Sequence, residues 1–108
     1  MIEWTPDELK KNLDAGTSVF LKLWKPGCGA CKLSEPALSR LEPEFQDQLP
    51  FVHINTQTHP EMLDISDTEV LPVFFIFKDK KKVGNHIGFK GIKKLKEFVE
   101  TSLASSPG

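Results

Sequence analysis

Apolar positions along the chain switch between the spacing of a helix and the unbroken run of a buried strand, and turn residues mark each switch. Leu9 and Leu13 share a helical face, four residues apart. Ahead of them Thr5, Pro6 and Glu8 carry the signature of a capping box with proline at the first helical position. Trp4 and Leu9 are placed for a hydrophobic staple, and Gly16 is the expected stop. Val19-Phe20-Leu21-Lys22-Leu23-Trp24 is β-branched, aromatic and nearly all apolar, which predicts a strand buried on both faces. Lys25-Pro26-Gly27 ends it. From about Cys28 to Gln48 the pattern is helical, with Ser34, Leu38, Leu41 and Phe45 on one stripe. Pro36 lies inside this run and predicts a kink, because it removes a hydrogen bond and crowds the preceding turn.

The second half continues the alternation. Phe51-Val52-His53-Ile54-Asn55 reads as a strand, Pro60 to Ile65 as a short helix, and Val73-Phe74-Phe75-Ile76-Phe77 as a strand. A charged five-residue turn, Lys78 to Lys82, leads into a weaker, edge-like strand from Val83 to Ile87. Gly91 opens a last helix with Ile92, Leu95, Phe98, Val99 and Leu103 on its apolar face. The order read is βαβαβαββα. Alternating elements predict a central five-stranded mixed sheet, mainly parallel with one antiparallel hairpin at its end, flanked by four helices. One domain is expected over residues 1–104, with a flexible tail at 105–108.

Composition narrows the function classes. The chain has 108 residues, 39% of them hydrophobic, which is enough for one core without a metal or a disulfide staple. Lys plus Arg total 14 against 15 Asp plus Glu. That balance lacks the basic excess of a nucleic-acid binder. No apolar run approaches the ~20 residues of a membrane span, and no signal peptide is visible. No nucleic-acid or membrane partner is therefore expected. Two cysteines cannot frame a small secreted fold.

The chemistry rests on their spacing. Cys28-Gly29-Ala30-Cys31 follows a buried strand and opens a helix. Residues three apart on a helix have Cβ atoms ~5–6 Å apart, close to the ~3.5–4.5 Å a disulfide needs. The pair can close and open with little rearrangement. The helix N-terminus offers unpaired N–H groups and a positive dipole end, both of which favour a thiolate on Cys28, and Lys32 adds positive charge nearby. Cys28 is expected to be exposed and nucleophilic, and Cys31, one turn in, to be shielded and to resolve the mixed disulfide. A zinc site would need two more ligands. No second pair of this spacing exists, and the histidines at 53, 59 and 86 are scattered, so no metal is expected. His53 and His86 read as solvated or hydrogen-bonded strand residues. Trp24, next to the motif, is expected to touch the site.

At this point the sequence resembles the thioredoxin family. Trp24 stands four before the first cysteine, Pro36 five after the second, and Leu71-Pro72 precedes a core strand, with Gly88 sixteen beyond that proline. The correspondence covers residues 1 to 103. It implies a thioredoxin fold, and a cis Leu71–Pro72 bond with Pro72 facing the disulfide. It also implies a substrate groove in which the Leu71 backbone pairs with an extended chain. Pro26, Gly27, Ile87, Gly88 and Phe89 would form the rim. Four positions depart from the family pattern. Lys22 stands where a buried aspartate relays a proton, so its role is that of a proton relay if neutral, electrostatic if charged or, if it reaches outward, merely solvated. Gly27 replaces a tryptophan, Ala30 a proline, and Phe89 a small residue.

The expectation is a thiol–disulfide oxidoreductase of the cytoplasm. It would be monomeric and reducing, would use no cofactor beyond its own redox-active disulfide, and would act on protein disulfides with a thioredoxin reductase or another dithiol donor. Three alternatives stay open: an oxidant or isomerase, a non-catalytic binding module, and two chains pooling cysteines around a metal or cluster.

Overall fold

The computed structural model describes residues 1–104; the expected tail at 105–108 lies outside them. In chain order the elements are β1 (Ile2–Glu3), α1 (Pro6–Asp14), β2 (Val19–Trp24), α2 (Gly29–Phe45), β3 (Phe51–Asn55), a 3-10 helix (Pro60–Ile65), β4 (Val73–Lys78), β5 (Lys81–Ile87) and α3 (Ile92–Ala104).

The punctuation acts as predicted. Thr5 caps α1, its Oγ1 accepting from the Glu8 N–H while the Glu8 carboxylate accepts from the Thr5 N–H, with Pro6 in the first turn. Gly16 has φ +84°, and the Gly16 and Thr17 N–H groups donate to the Leu13 and Asn12 carbonyls. That is a Schellman end, which needs the left-handed conformation glycine adopts without strain. α2 runs on through Pro36 and also through Pro43.

The sheet order is β1-β3-β2-β4-β5. β1 and β2 both pair with β3 in parallel. β4 pairs with β2 antiparallel, and β5 with β4 antiparallel. The mixed five-stranded sheet between helices is the expected one, but its parallel share is smaller: two antiparallel pairings replace the single hairpin. The reason lies in the β3–β4 connection. It holds only a six-residue 3-10 helix. The chain therefore crosses β2 at the end where β3 finishes and starts β4 from that same end, rather than returning through a full helical crossover. The β4–β5 turn is also tighter than expected. Asp79 and Lys80 form a two-residue loop, both with positive φ.

Two cores sandwich the sheet. Phe20, Phe51, Phe74 and Ile76 meet Leu38, Leu41 and Phe45 of α2 and Leu95 and Val99 of α3. On the other face Leu21, Leu23, Val52, Ile54, Val73 and Phe75 meet Leu9 of α1 and Met62 of the 3-10 helix. Phe20 and Phe51 stack at 4.2 Å. Each such fully buried side chain stabilises the fold by roughly 1.5–3 kcal/mol relative to exposure.

Candidate active site

The site begins where β2 runs out of core. Through Leu23 the strand is fully buried, and Trp24 is half-buried. Lys25, Pro26 and Gly27 are exposed, and Gly27 turns the chain at φ +80°. Cys28 then adopts extended geometry (φ −84°, ψ 108°) and serves as the N-cap of α2. Its sulfur takes the place of a capping oxygen, accepting the Cys31 N–H at 3.1 Å.

Cys28 and Cys31 form a disulfide with Cα atoms 5.2 Å apart. Their environments differ, though Cys28 is less open than the exposed residue expected. Cys28 is half-buried at the helix mouth and Cys31 is 2% exposed. The Leu71 carbonyl oxygen lies 3.6 Å from Cys28 Sγ, and the Leu71–Pro72 peptide is cis. Gly88 N–H donates to the Pro72 carbonyl at 2.7 Å. Segments far apart in sequence thus meet at one end of the sheet: the Cys28 turn, Leu71–Pro72 and Gly88.

The expected rim divides. Pro26, Gly27 and Ile87 are exposed and Leu71 and Gly88 half-buried, whereas Phe89 packs against the core shared with α2 and α3. Pro26 and Leu71 border an open depression of about 620 Å³ with Lys25, Thr56, Gln57, Leu63 and Glu69. Lys32 is exposed on the first turn of α2.

Trp24 is held mainly by β3. Its carbonyl accepts from both the N–H and the hydroxyl of Thr56, and its ring stacks on His53 at 5.6 Å. His86 departs from the expected solvated or hydrogen-bonded histidine. Its Nε2 is buried with no partner among the described residues, and its ring stacks on Phe98 of α3. Burial pushes its pKa down, and Lys90 adds to the effect.

Lys22 does not reach solvent. It is 4% exposed, and its Nζ donates to the Cys31 carbonyl at 3.1 Å. The same carbonyl accepts the buried Ser34 hydroxyl at 2.6 Å. Burial lowers the Lys22 pKa, and the Glu35 carboxylate opposes that. His53, level with Lys22 on β3, is also lowered, first by burial, with Glu3 opposing and Lys22 adding to the effect. Lys22, Trp24, Glu35 and His53 line a cavity of about 280 Å³ beneath the cysteine helix. The sequence places Ser34 on the apolar stripe of α2 but gives neither Glu35 nor Ser34 a place at the site. Their signal was available: they stand four and three residues after Cys31 on a helix, and so share its face.

Among the described residues no three His, Cys, Asp or Glu side chains are grouped to hold a metal ion, and no helix is long and apolar enough to cross a membrane.

Comparison with known proteins agrees with this geometry. The family model described as Thioredoxin matches residues 1–101. The thioredoxin of Bacillus subtilis is 32% identical over 85 residues, covering 79% of this chain and 82% of that protein. Thioredoxin Y2, chloroplastic, of Arabidopsis thaliana is 33% identical over 98 residues, covering 90% of this chain and 57% of that one. The oxidised crystal structure of mitochondrial thioredoxin 3 from Saccharomyces cerevisiae superposes with a TM-score of 0.80 at 20% identity, over 93% of this chain and 94% of that one, a likeness of fold.

Proposed function

The chain belongs to the thioredoxin family and is a thiol–disulfide oxidoreductase, and from that premise we propose that it reduces protein disulfides with Cys28 as attacking and Cys31 as resolving thiol. The observation that carries the assignment is the sulfur cap. Cys28 Sγ sits at the mouth of α2 and accepts an N–H that is otherwise unpaired, while Cys31 is shielded one turn deeper. A helix N-terminus favours negative charge there, so the reduced Cys28 is ionised more readily than an ordinary thiol.

In the reduced chain the Cys28 thiolate attacks one sulfur of a client disulfide. A bond forms between Cys28 and the client, and the client's second sulfur leaves as thiolate and takes a proton from water. Cys31 thiolate then attacks Cys28 Sγ. The Cys28–Cys31 disulfide forms, the bond to the client breaks, and the client's first sulfur leaves. The chain has lost two electrons and the client has gained them.

The cis Leu71–Pro72 segment lies against Cys28, so we assign the Leu71 backbone to pairing with an extended client strand, and Pro72 to the wall facing the disulfide. Pro26, Gly27, Ile87 and Gly88 form the rim, with Phe89 supporting it from the core side. Trp24 carries the turn that leads to Cys28, and Lys32 contributes charge. A dithiol donor of the thioredoxin reductase class returns the electrons, no cofactor beyond the disulfide is used, and the chain works as a monomer in the cytoplasm, where thiols are kept reduced.

The test is trapping. Cys28→Ser abolishes turnover of a disulfide-bonded protein such as insulin, and Cys31→Ser accumulates a covalent chain–client adduct that dithiothreitol releases. Wild-type turnover by Cys28→Ser would refute the assignment. A measured reduction potential near those of strong oxidants would replace the reducing direction with an oxidising one.

A further inference from the structure

The cation beneath the disulfide has no part in the mechanism above. Lys22 projects from the middle of β2 toward α2, on the face that carries the phenylalanine core. Its cross-strand neighbours are His53 on β3 and Phe74 on β4. A lysine buried to this degree needs a reason, because removing an ammonium from water is costly unless a partner offsets it. One neutral carbonyl, that of Cys31, is a weak partner in the oxidised chain. Reduction creates a second candidate, since the Cys31 sulfur belongs to the residue whose carbonyl the ammonium already touches.

We propose that Lys22 is a positioning residue for the resolving step: its ammonium holds the buried Cys31 sulfur as a thiolate in the reduced chain. This rests on the reading of Cys31 as the resolving thiol. A thiol 2% exposed resists ionisation by desolvation, and a neutral thiol does not attack. An adjacent ammonium reverses that. Cys31 then needs no separate base to take its proton, because it has already lost it when the mixed disulfide forms.

The other ionisable groups around the cavity fit this arrangement. From α2, Glu35 and Glu42 line it; Met1, just ahead of β1, lines it too, and its amino group is paired with Glu42 at 3.1 Å. From β3, His53 stacks on Trp24, and its lowered pKa keeps it neutral near pH 7. Glu3 of β1 acts on His53. β4 contributes no charge at this level, since Phe74 is the residue opposite Lys22. Glu35 is the carboxylate whose charge favours the ammonium form of Lys22.

The experiment isolates Cys31 in a Cys28→Ser chain and follows its ionisation by thiolate absorbance and by iodoacetamide rate against pH. An opposite charge within about 4–6 Å moves an ionisable group by about one to three pH units. Lys22→Met, which keeps the apolar stem, is therefore expected to raise the Cys31 midpoint by about one unit or more, a tenfold loss of thiolate at fixed pH. Lys22→Arg is expected to keep the midpoint near its original value. With both cysteines present, Lys22→Met is expected to shift the glutathione equilibrium toward the disulfide by about tenfold, or ~30 mV. An unmoved Cys31 midpoint in Lys22→Met overturns the proposal. A second measurement leaves Lys22 in place. In Cys28→Ser alone, the nitrogen-15 shift of Lys22 Nζ is expected to report an ammonium throughout the pH range in which Cys31 ionises; an amine already neutral there also overturns it. Failure of the underlying mechanism looks different, because it shows as turnover surviving in Cys28→Ser with Lys22 intact.

Discussion

Reducing the Cys28–Cys31 bond should cost the fold stability, and the cost should depend on pH. The bond closes a loop of about four residues, since its ends are three apart in sequence. In the chain-entropy account such a loop stabilises the folded state by about 1.9 kcal/mol at 25 °C. The reduced chain recovers part of this when Cys28 is ionised. The Cys31 N–H at 3.1 Å and the end of α2 then hold a charge instead of a neutral sulfur, an effect of about 1 kcal/mol. The sign follows from linkage. A thiol whose folded pKa lies below the ordinary ~8.5 contributes stability that is complete above pH ~8.5 and is lost as the pH falls through the folded value. At pH 5 the oxidised chain should therefore exceed the reduced one by the full ~1.9 kcal/mol, and at pH 8.5, where the unfolded thiol is itself half ionised, by about 1.2 kcal/mol. By the thermodynamic cycle, 1 kcal/mol corresponds to roughly 20 mV between the folded and unfolded couples. The assay is urea unfolding of both forms at the two pH values, with dithiothreitol or a phosphine maintaining the reduced one. A gap of the same size at pH 5 and pH 8.5 would mean the helix end does not stabilise the thiolate, and the account of Cys28 as nucleophile would lose its physical basis.

Two further outcomes follow from the face of the sheet that packs on α2 and α3. A methyl group at Gly84 would stand 2.9 Å from Phe98 Cε1 and against the Ser102 hydroxyl, so Gly84→Ala should destabilise the chain by about 1–3 kcal/mol in urea melts, with an unchanged melt showing that α3 gives way freely. His53 and His86 both have lowered pKa values, so the stability they contribute is full above about pH 6.5 and is lost as the pH falls through their folded values. The melting temperature should drop between pH 7 and pH 5, and His86→Phe, which keeps the ring between Phe74 and Phe98, should make the drop shallower; an equally steep drop would place the acid sensitivity elsewhere.

Much of this was legible in the sequence because local rules govern it. The Thr5–Glu8 box, the Gly16 stop and the stripe of Ser34, Leu38, Leu41 and Phe45 each depend on residues a turn apart, and each is where the pattern put it. The cysteine pair was legible for the same reason. What stayed hidden depends on distant packing. Nothing within a few residues of Lys22 shows that β3, β4 and α2 enclose it, and a lone lysine in an apolar strand reads equally well as one that reaches solvent. His86 has the same ambiguity: alternation along β5 allows a wet ring, and only the docking of α3 closes over it. The direction of β4 was hidden because pattern gives element type, and direction comes from how the connection packs.

That direction decides whether there is a site at all. β2 delivers Cys28 from its C-terminal end. A β4 parallel to β2, as alternation alone suggests, would begin at the opposite end of the sheet, and Leu71–Pro72 would lie a full strand length from the sulfurs. Six residues at about 3.4 Å per residue make that separation roughly 20 Å. Because β4 runs antiparallel, with Leu23 opposite Val73, its first residue stands beside the next-to-last of β2. β5 reverses again and, with Val73 opposite Ile87, brings Gly88 to the same end, where its N–H fixes the Pro72 carbonyl. Two successive reversals therefore gather the turn that carries Cys28, the segment before β4 and the residue after β5 onto one edge. The same register sets Lys22 two residues back from Trp24, within the interior, under the first turn of α2. Exposed groups suited to meeting a client and a buried charge suited to the resolving sulfur thus arise from one topological choice, in which the short 3-10 connection before β4 sets the strand's direction.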